Sequence, residues 1–329
     1  MINIFFNESY FARDKIFLTK QIKYSKLVNP YYWFCYRFNI PISNNFIYSG
    51  PQKRINHLIK AFSRDKMFEI NKHTFDNHYI VQFDKFGKSL LNDILNNGRK
   101  NQKILIGPLM DLDSAKELVR ITNQHNNIKI LVASKSSYKN LIQEYDFPIK
   151  KENVHISPSG IIGEEELIKN QRIERKNDHC LIYFKKRNDA ELNNVIRLLE
   201  SNNITYDFFQ YGTYKNNKLI ESAKKSKFGV ILARTESQGF AIQELLSLNL
   251  PLLVWDYTEN NYGKYNLTGT SVSYWSEDCG IKFETDSQLI SSFDKLLKNI
   301  NLFNPTSLIE KELTYEKYRK NLLYIFDNF

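Results

Sequence analysis

Two glutamates with seven residues between them mark the most informative stretch of this sequence. Glu236 follows an apolar run at 228–233 that predicts a strand, and Glu244 lies in a predicted helix at 240–248. A flexible Ser-Gln-Gly joins the two elements. Backbone N–H groups in such a loop and at a helix start attract anions. The stretch therefore offers N–H groups to phosphate and carboxylates to hydroxyls, which fits a nucleotide sugar.

The flanking sequence predicts alternating strands and helices that would position this stretch at the edge of a sheet. Apolar runs predict the strands, and apolar residues at helical spacing predict the helices. The predicted strands are 2–6, 45–48, 79–83, 103–106, 128–133, 153–157, 179–184, 205–210, 228–233, 252–255 and 272–275. The predicted helices are 15–28, 55–62, 113–123, 136–145, 164–170, 190–201, 215–226, 240–248, 287–300 and 314–326. This alternation is typical of parallel sheets covered by helices, so the sequence favours an α/β fold.

A polar, charged connection at 163–178 divides the alternation into two halves. We expect an N-terminal acceptor-side domain at 1–162 and a C-terminal donor domain at 179–310. The last segment, 311–329, would be a helix that packs back on the N-terminal domain. Two α/β halves leave a cleft between them, where ligands commonly bind.

Composition narrows the classes of protein and site. The net charge of +10 is spread through the chain without long runs of one sign, so a nucleic-acid partner is not favoured. Three distant cysteines form no CxxC pair, which predicts no zinc site and suits a reducing compartment such as the cytoplasm. No apolar run is long enough to cross a membrane, and the N-terminus does not resemble a signal peptide.

Other candidates flank the predicted cleft. Lys185 and Arg187 follow a predicted strand and would bind phosphate, although a plain basic loop is the alternative. Tyr211 could stack on a base or simply pack at the rim. Lys53, Arg54 and His57 begin a helix after a glycine turn, and they would face either the cleft or the solvent. Asp111-Leu-Asp113 has the spacing of a metal motif but is better interpreted as a helix start, so no metal ligands are predicted.

Four blocks, taken in order, resemble the retaining nucleotide-sugar glycosyltransferases of the two-Rossmann (GT-B) type, close to the family 4 group. These are Asn-Val-His-Ile-Ser-Pro-Ser-Gly-Ile at 153–161, Ile-Tyr-Phe-Lys-Lys-Arg at 182–187, the two glutamates, and Leu-Pro-Leu-Leu-Val at 250–254. The resemblance is weak over roughly residues 45–300 and specific only at 228–256. It departs from the family at Glu191, which stands near the place of a usual lysine.

The resemblance implies a GT-B fold with parallel sheets facing across a cleft, and transfer of a sugar to an acceptor hydroxyl with retention. It implies that Glu236 contacts the donor sugar and Glu244 the ribose, while the amides of Gly239, Phe240 and Ala241 bind the diphosphate or the sugar. Lys185 and Arg187 would neutralise the leaving diphosphate, so that a cationic clamp replaces a metal. No cofactor is implied beyond a UDP- or GDP-type sugar as co-substrate, and the acceptor would be a glycan or another hydroxyl compound.

Alternatives remain open at this stage. Glu236 could be an acid that complements the helix dipole, and Glu244 an ordinary exposed helix residue. The whole chain could be a non-catalytic module of degenerate GT-B fold that binds a nucleotide or glycan. A glucosyltransferase acting on modified DNA bases is a further alternative, motivated by the basic charge.

Overall fold

The computed structural model describes residues 1–6, 50–62, 65–73, 75–97, 102–108, 112–144, 148–170, 178–262 and 265–329. The helix predicted at 15–28 and the strand predicted at 45–48 lie outside the described residues. So does Asp111 of the candidate metal motif, while the helix that follows it begins at Leu112. Within the described residues the chain forms two α/β domains, each built on a parallel sheet, as the sequence predicts.

The first domain has a six-stranded sheet in the order β2-β1-β3-β4-β5-β6 with parallel neighbours. Its strands are β1 (Ile2–Phe5), β2 (Phe68–Ile70), β3 (Asn77–Val81), β4 (Lys103–Gly107), β5 (Ile128–Val132) and β6 (Val154–Ile156). Its helices are α1 (Gly50–Phe62), α2 (Lys85–Asn97), α3 (Leu112–Gln124) and α4 (Lys135–Lys139), which continues into a π-helical turn at Asn140–Glu144. Apolar helix residues pack on both faces of this sheet.

The second domain has a five-stranded parallel sheet in the order β13-β10-β9-β7-β8. Its strands are β7 (His179–Lys185), β8 (Thr205–Gln210), β9 (Phe228–Ala233), β10 (Leu252–Trp255) and β13 (Gly280–Phe283), beside a hairpin of β11 (Glu259–Tyr262) and β12 (Tyr265–Thr268). Its helices are α5 (Glu164–Asn170), α6 (Asp189–Ser201), α7 (Asn216–Lys225), α8 (Phe240–Ser247), α9 (Leu289–Lys298) and α10 (Thr306–Glu312). Two apolar clusters, one on each face of the sheet, form its core.

The chain crosses between the domains at two adjacent places. Ile161 N donates to Leu313 O at 2.8 Å, and Tyr315 N donates to Ile162 O at 2.9 Å. Gly160 permits this close approach, because a Cβ there would lie 2.8 Å from the Thr314 carbonyl oxygen. After the crossing, α11 (Tyr315–Asp327) packs its apolar face on the first domain beside α1.

The predicted strand at 272–275 is wrong. The segment is irregular, and the strand beside β10 is β13, Gly280–Phe283. The Tyr274 hydroxyl donates to Ala133 O of the first domain and the Ser273 hydroxyl donates to Glu236 O, so this segment contacts both the first domain and the loop of Glu236. The hairpin, β2 and α10 were not predicted.

Candidate active site

The predicted site lies where the strand order of the second sheet reverses. The chain runs from β7 to β8 on one side and returns to β9 on the other side of β7. Lys185 ends β7 and pairs in register with Ala233, which ends β9. Ligands of open parallel sheets bind outside the carboxyl ends of the strands at such a switch point. The loop at 234–239 that carries Glu236 begins at this position.

Glu236 pairs with Lys185 inside the second domain. Lys185 Nζ lies 2.6 Å from Glu236 Oε1, and the carboxylate side chain is 10% exposed. Burial raises the pKa of Glu236, and Lys185 opposes this shift without cancelling it. The Lys185 ammonium also lies 4.4 Å from the ring centroid of Tyr211, whose side chain is partly open to solvent. The three predicted residues therefore form one group at the sheet edge.

The backbone of Glu236 is fixed by a neighbouring loop. Its N–H donates to Thr270 O at 2.9 Å, and the Ser273 hydroxyl donates to its carbonyl oxygen. Buried Asp256, at the end of β10, organises that loop by accepting from the Thr270 hydroxyl at 2.8 Å and from Ser271 N at 2.7 Å. Lys282 Nζ neutralises Asp256 at 2.9 Å. This support for Glu236 was not predicted from the sequence.

Arg187 lies close by but its donors have other partners. Nε and Nη2 donate to the two oxygens of Glu191 at 2.6 and 2.7 Å, while Nη1 donates to the carbonyl oxygens of Ala233 and Trp255. The Arg187 side chain is 2% exposed. Glu191 also caps α6 together with Asn188. The guanidinium thus ties the ends of three strands to the start of a helix.

The loop ends at Gly239, which caps α8. Its φ of 79° lies in the left-handed region that favours glycine. No side chain caps α8, and its first turn carries no acidic residue in this described part of the chain. The N–H groups of Gly239, Phe240 and Ala241 therefore begin a helix that no described side chain caps, and the Glu236 side chain lies beside Gly239.

Glu244 is held by the other domain. Lys53 Nζ lies 2.5 Å from Glu244 Oε2, and His57 Nε2 lies 3.5 Å from Oε1. The Glu244 side chain is 10% exposed and that of Lys53 is 6% exposed. Burial alone would raise the pKa of Glu244, but Lys53 and His57 outweigh it and lower that pKa to about 2. Burial lowers the pKa of His57, whose Nδ1 lies 3.0 Å from the Tyr315 hydroxyl.

Gln238 joins the same two domains one residue before Gly239. Its Oε1 accepts from Ser159 N at 3.1 Å, and its Nε2 donates to Ser159 O at 2.8 Å. Arg54 Nη2 lies 3.5 Å from Gln238 Oε1, and the guanidinium lies 5.5 Å from the ring centroid of Phe240. No carboxylate pairs with Arg54 among the described residues, and its Nη1 has no hydrogen-bond partner there.

The structure thus brings together most of the predicted site residues. Lys53, Arg54 and His57, which the sequence left between cleft and solvent, are buried against the loop at 234–239 and α8. Gln238 was missed because a glutamine in a polar loop carries no distinctive signal. Among the described residues there is no cluster of three or more potential metal ligands. No helix in the described ranges combines the length and apolar character that crossing a membrane would need.

Comparisons with known proteins return structural similarities only. No protein-family model matches, and no curated protein matches in sequence. S. aureus TarM, solved with UDP, aligns with 82% of this chain and 59% of its own at 13% identity and a TM-score of 0.47. WaaG, a glycosyltransferase involved in lipopolysaccharide biosynthesis, aligns with 85% of this chain and 97% of its own at 12% identity and a TM-score of 0.46.

Anabaena HepE, solved with UDP and glucose, aligns with 100% of this chain and 99% of its own at 10% identity and a TM-score of 0.47. The chain spans less than two thirds of the length of TarM. The fold assignment rests on the two parallel sheets themselves.

Proposed function

We propose that the protein is a glycosyltransferase that moves a sugar from a nucleotide diphosphate sugar to an acceptor hydroxyl with retention, without a metal ion. One observation carries the proposal. Two carboxylates of a single loop-and-helix segment lie at the switch point, and each is paired with a lysine, Lys185 or Lys53. Such an arrangement offers acceptors for sugar hydroxyls beside cations for phosphate.

We assign to these groups the roles that the resemblance to GT-B glycosyltransferases implies. Glu236 accepts from hydroxyls of the transferred sugar, and Lys185 stabilises the diphosphate beside it. The N–H groups of Gly239, Phe240 and Ala241 bind a diphosphate or sugar oxygen. Glu244 binds the ribose hydroxyls at the other end of the donor.

Tyr211 and Arg187 have supporting roles in this proposal. The partly open ring of Tyr211 stacks on the base or covers Lys185. Arg187 could contact the diphosphate only by leaving Glu191 and two carbonyl oxygens. We therefore propose that Arg187 positions Lys185 and the adjoining loop instead of contacting the donor.

The reaction breaks the bond between sugar C1 and the diphosphate oxygen, and the electron pair leaves with the diphosphate. The acceptor oxygen bonds to C1 on the face that the diphosphate leaves, and its proton passes to a phosphate oxygen. The products are the glycosylated acceptor and a nucleoside diphosphate. Negative charge grows on the leaving group, so preorganised cations such as Lys185 lower the barrier without a separate base.

A non-catalytic binding module is a second candidate. The full engagement of Arg187 favours it, because a guanidinium held by Glu191 and two carbonyl oxygens is not available to a leaving diphosphate. Such a module would bind a nucleotide and release nothing from its sugar conjugates.

The test is release of nucleoside diphosphate from a panel of UDP- and GDP-sugars, with and without simple hydroxyl acceptors. We expect slow release by the wild-type protein and a loss of about 100-fold or more in Glu236→Gln. Glu200→Gln, on an exposed part of α6, is the matched control and should retain full activity. Nucleotide binding without any release would favour the binding module, and equal activity of Glu236→Gln would exclude the assigned role.

The proposal places the protein in the cytoplasm, where nucleotide sugars are available in a reducing environment. Cys180 and Cys279 are buried, and among the residues that the structure describes neither forms a disulfide, which suits such a compartment. Localisation of a tagged full-length chain by cell fractionation tests this part separately.

A further inference from the structure

The ammonium group of Lys53 reaches the loop-and-helix segment that carries both proposed donor-binding carboxylates. It contacts Glu244, the proposed ribose ligand, at 2.5 Å. Burial raises the pKa of Glu236, the proposed sugar ligand; Lys185 opposes this shift most, and Lys53 adds a smaller opposing effect. In a nucleotide sugar the diphosphate links the sugar to the ribose. A cation bound to this segment therefore lies near the path that the diphosphate would take.

Glu244 has little free surface for a ribose while Lys53 remains in place. One oxygen is bound by Lys53 and the other faces His57, and the side chain is 10% exposed. A ribose diol needs acceptor positions on this carboxylate. Movement of the lysine to another anion would free the acceptor positions on Oε2 that it now occupies.

The first domain places a second cation at this contact. Arg54 follows Lys53 directly and is buried, and its partners among the described residues, such as Gln238 and Tyr79, are neutral. A nearby anion stabilises a buried cation, so added negative charge at this contact would be favourable. A diphosphate would supply it.

Resting on the proposed function, we propose that Lys53 is a donor-binding residue that exchanges partners. It neutralises Glu244 in the arrangement described above, and when the donor binds it transfers to the diphosphate, which frees Glu244 for the ribose. Because Lys53 and Glu244 belong to different domains, binding of the donor would break an ion pair between those domains. Lys53 is supplied by the N-terminal domain, so the diphosphate is held between Lys185 on one side and Lys53 on the other.

The exchange is tested by calorimetric titration with inorganic pyrophosphate, which has no ribose or sugar. Lys53→Met should bind pyrophosphate about tenfold more weakly, because one charge-assisted contact is lost. Glu244→Gln should bind it several-fold more tightly than the wild type, since Lys53 is no longer engaged by a carboxylate. The double variant should match Lys53→Met, and Lys60→Met, at an exposed site on the same helix, should match the wild type.

A purely structural ion pair predicts otherwise. Unchanged or weaker pyrophosphate binding by Glu244→Gln, or unchanged binding by Lys53→Met, would overturn the exchange. A second measurement covers the case in which Glu244→Gln does not fold. The preference of the protein for UDP over uridine, or for GDP over guanosine, should fall about tenfold in Lys53→Met. An unchanged preference would overturn the proposal.

Failure of the exchange is distinguishable from failure of the proposed function. Wild-type protein that releases nucleoside diphosphate from a sugar donor, while the Lys53 variants bind normally, refutes the exchange alone. Wild-type protein that neither binds pyrophosphate nor releases nucleoside diphosphate refutes both.

Discussion

Glu236 and Glu244 belong to one loop-and-helix segment, yet their surroundings differ: one forms an ion pair within its domain and the other an ion pair between domains. Glu236 pairs with Lys185 of its own domain, and burial keeps its pKa above the ordinary value. Glu244 pairs with Lys53 and His57 of the other domain, and its pKa falls to about 2. The Lys185–Glu236 pair lies within one domain, at the edge of its sheet. The Lys53–Glu244 pair joins the two domains, so its strength depends on their relative placement.

The largest expected effect on stability is at the interdomain pair. Lys53→Met leaves a buried carboxylate without its main partner and should reduce the free energy of unfolding by about 3 kcal/mol. Lys185→Met should cost about 1 kcal/mol, because Lys185 is more exposed and the carboxyl it leaves has a raised pKa and protonates more readily. Chemical denaturation of both variants, with Lys60→Met as control, measures the difference. Equal losses would remove the distinction between the two pairs.

The pH dependence should have opposite sign at the two carboxyls. The folded-state pKa of Glu244 is lowered, so its contribution to stability is present above about pH 4.5 and is lost as the pH falls toward 2. The folded-state pKa of Glu236 is raised, so its ionised form destabilises the folded protein. This destabilisation disappears as the pH falls and the carboxyl protonates.

Unfolding free energies measured from pH 7 downward test this contrast. The stability advantage of the wild type over Glu244→Gln should shrink by about 3 kcal/mol on acidification. Over the same pH range, the difference in unfolding free energy between the wild type and Glu236→Gln should change in favour of the wild type. Parallel curves for the two variants would contradict the assigned surroundings.

Gly239 lies between the two glutamates, and its substitution should have a smaller effect on stability. Its Cβ position has ordinary space, 3.5 Å from Glu236 Cβ, but its φ of 79° disfavours any other residue. Gly239→Ala should therefore cost about 1 kcal/mol of stability, and donor binding should weaken because the N–H groups of α8 are displaced. Asn203→Ala, at an exposed position with a φ of 55° after α6, is a backbone control outside the loop. Loss of donor binding in both variants would argue against a specific role for the loop.

The smallest expected effect on stability is at Tyr211, on the Glu236 side of the comparison. Its ring is 39% exposed, so Tyr211→Ala should change the free energy of unfolding by less than about 0.5 kcal/mol. The affinity of the Tyr211→Ala variant for UDP or GDP should fall by about fivefold, because the ring packs on Lys185 and offers a face to the base. Tyr211→Phe keeps the ring and should bind normally. A Tyr211→Ala variant with full affinity would confine this residue to rim packing.

The sequence could predict the local part of this comparison and not the part that crosses the domains. Period and spacing predict the parallel α/β halves and place Glu236, Gly239 and Glu244 on one loop and helix, since these relations span a few residues. The pairing of Lys53 with Glu244 spans 191 positions and depends on how two domains meet, which no local pattern records. The wrong strand at 272–275 has the same origin, because its side chains serve a contact between domains and the loop of Glu236.

The most direct test of the central claim is a crystal structure of the protein with UDP or GDP, whichever binds more tightly. The account predicts the ribose at Glu244 and the diphosphate at the N-terminus of α8, with Lys185 and a displaced Lys53 on opposite sides of it. A nucleotide bound elsewhere, or a diphosphate at this position with Lys53 still on Glu244 and the ribose away from it, would contradict the account.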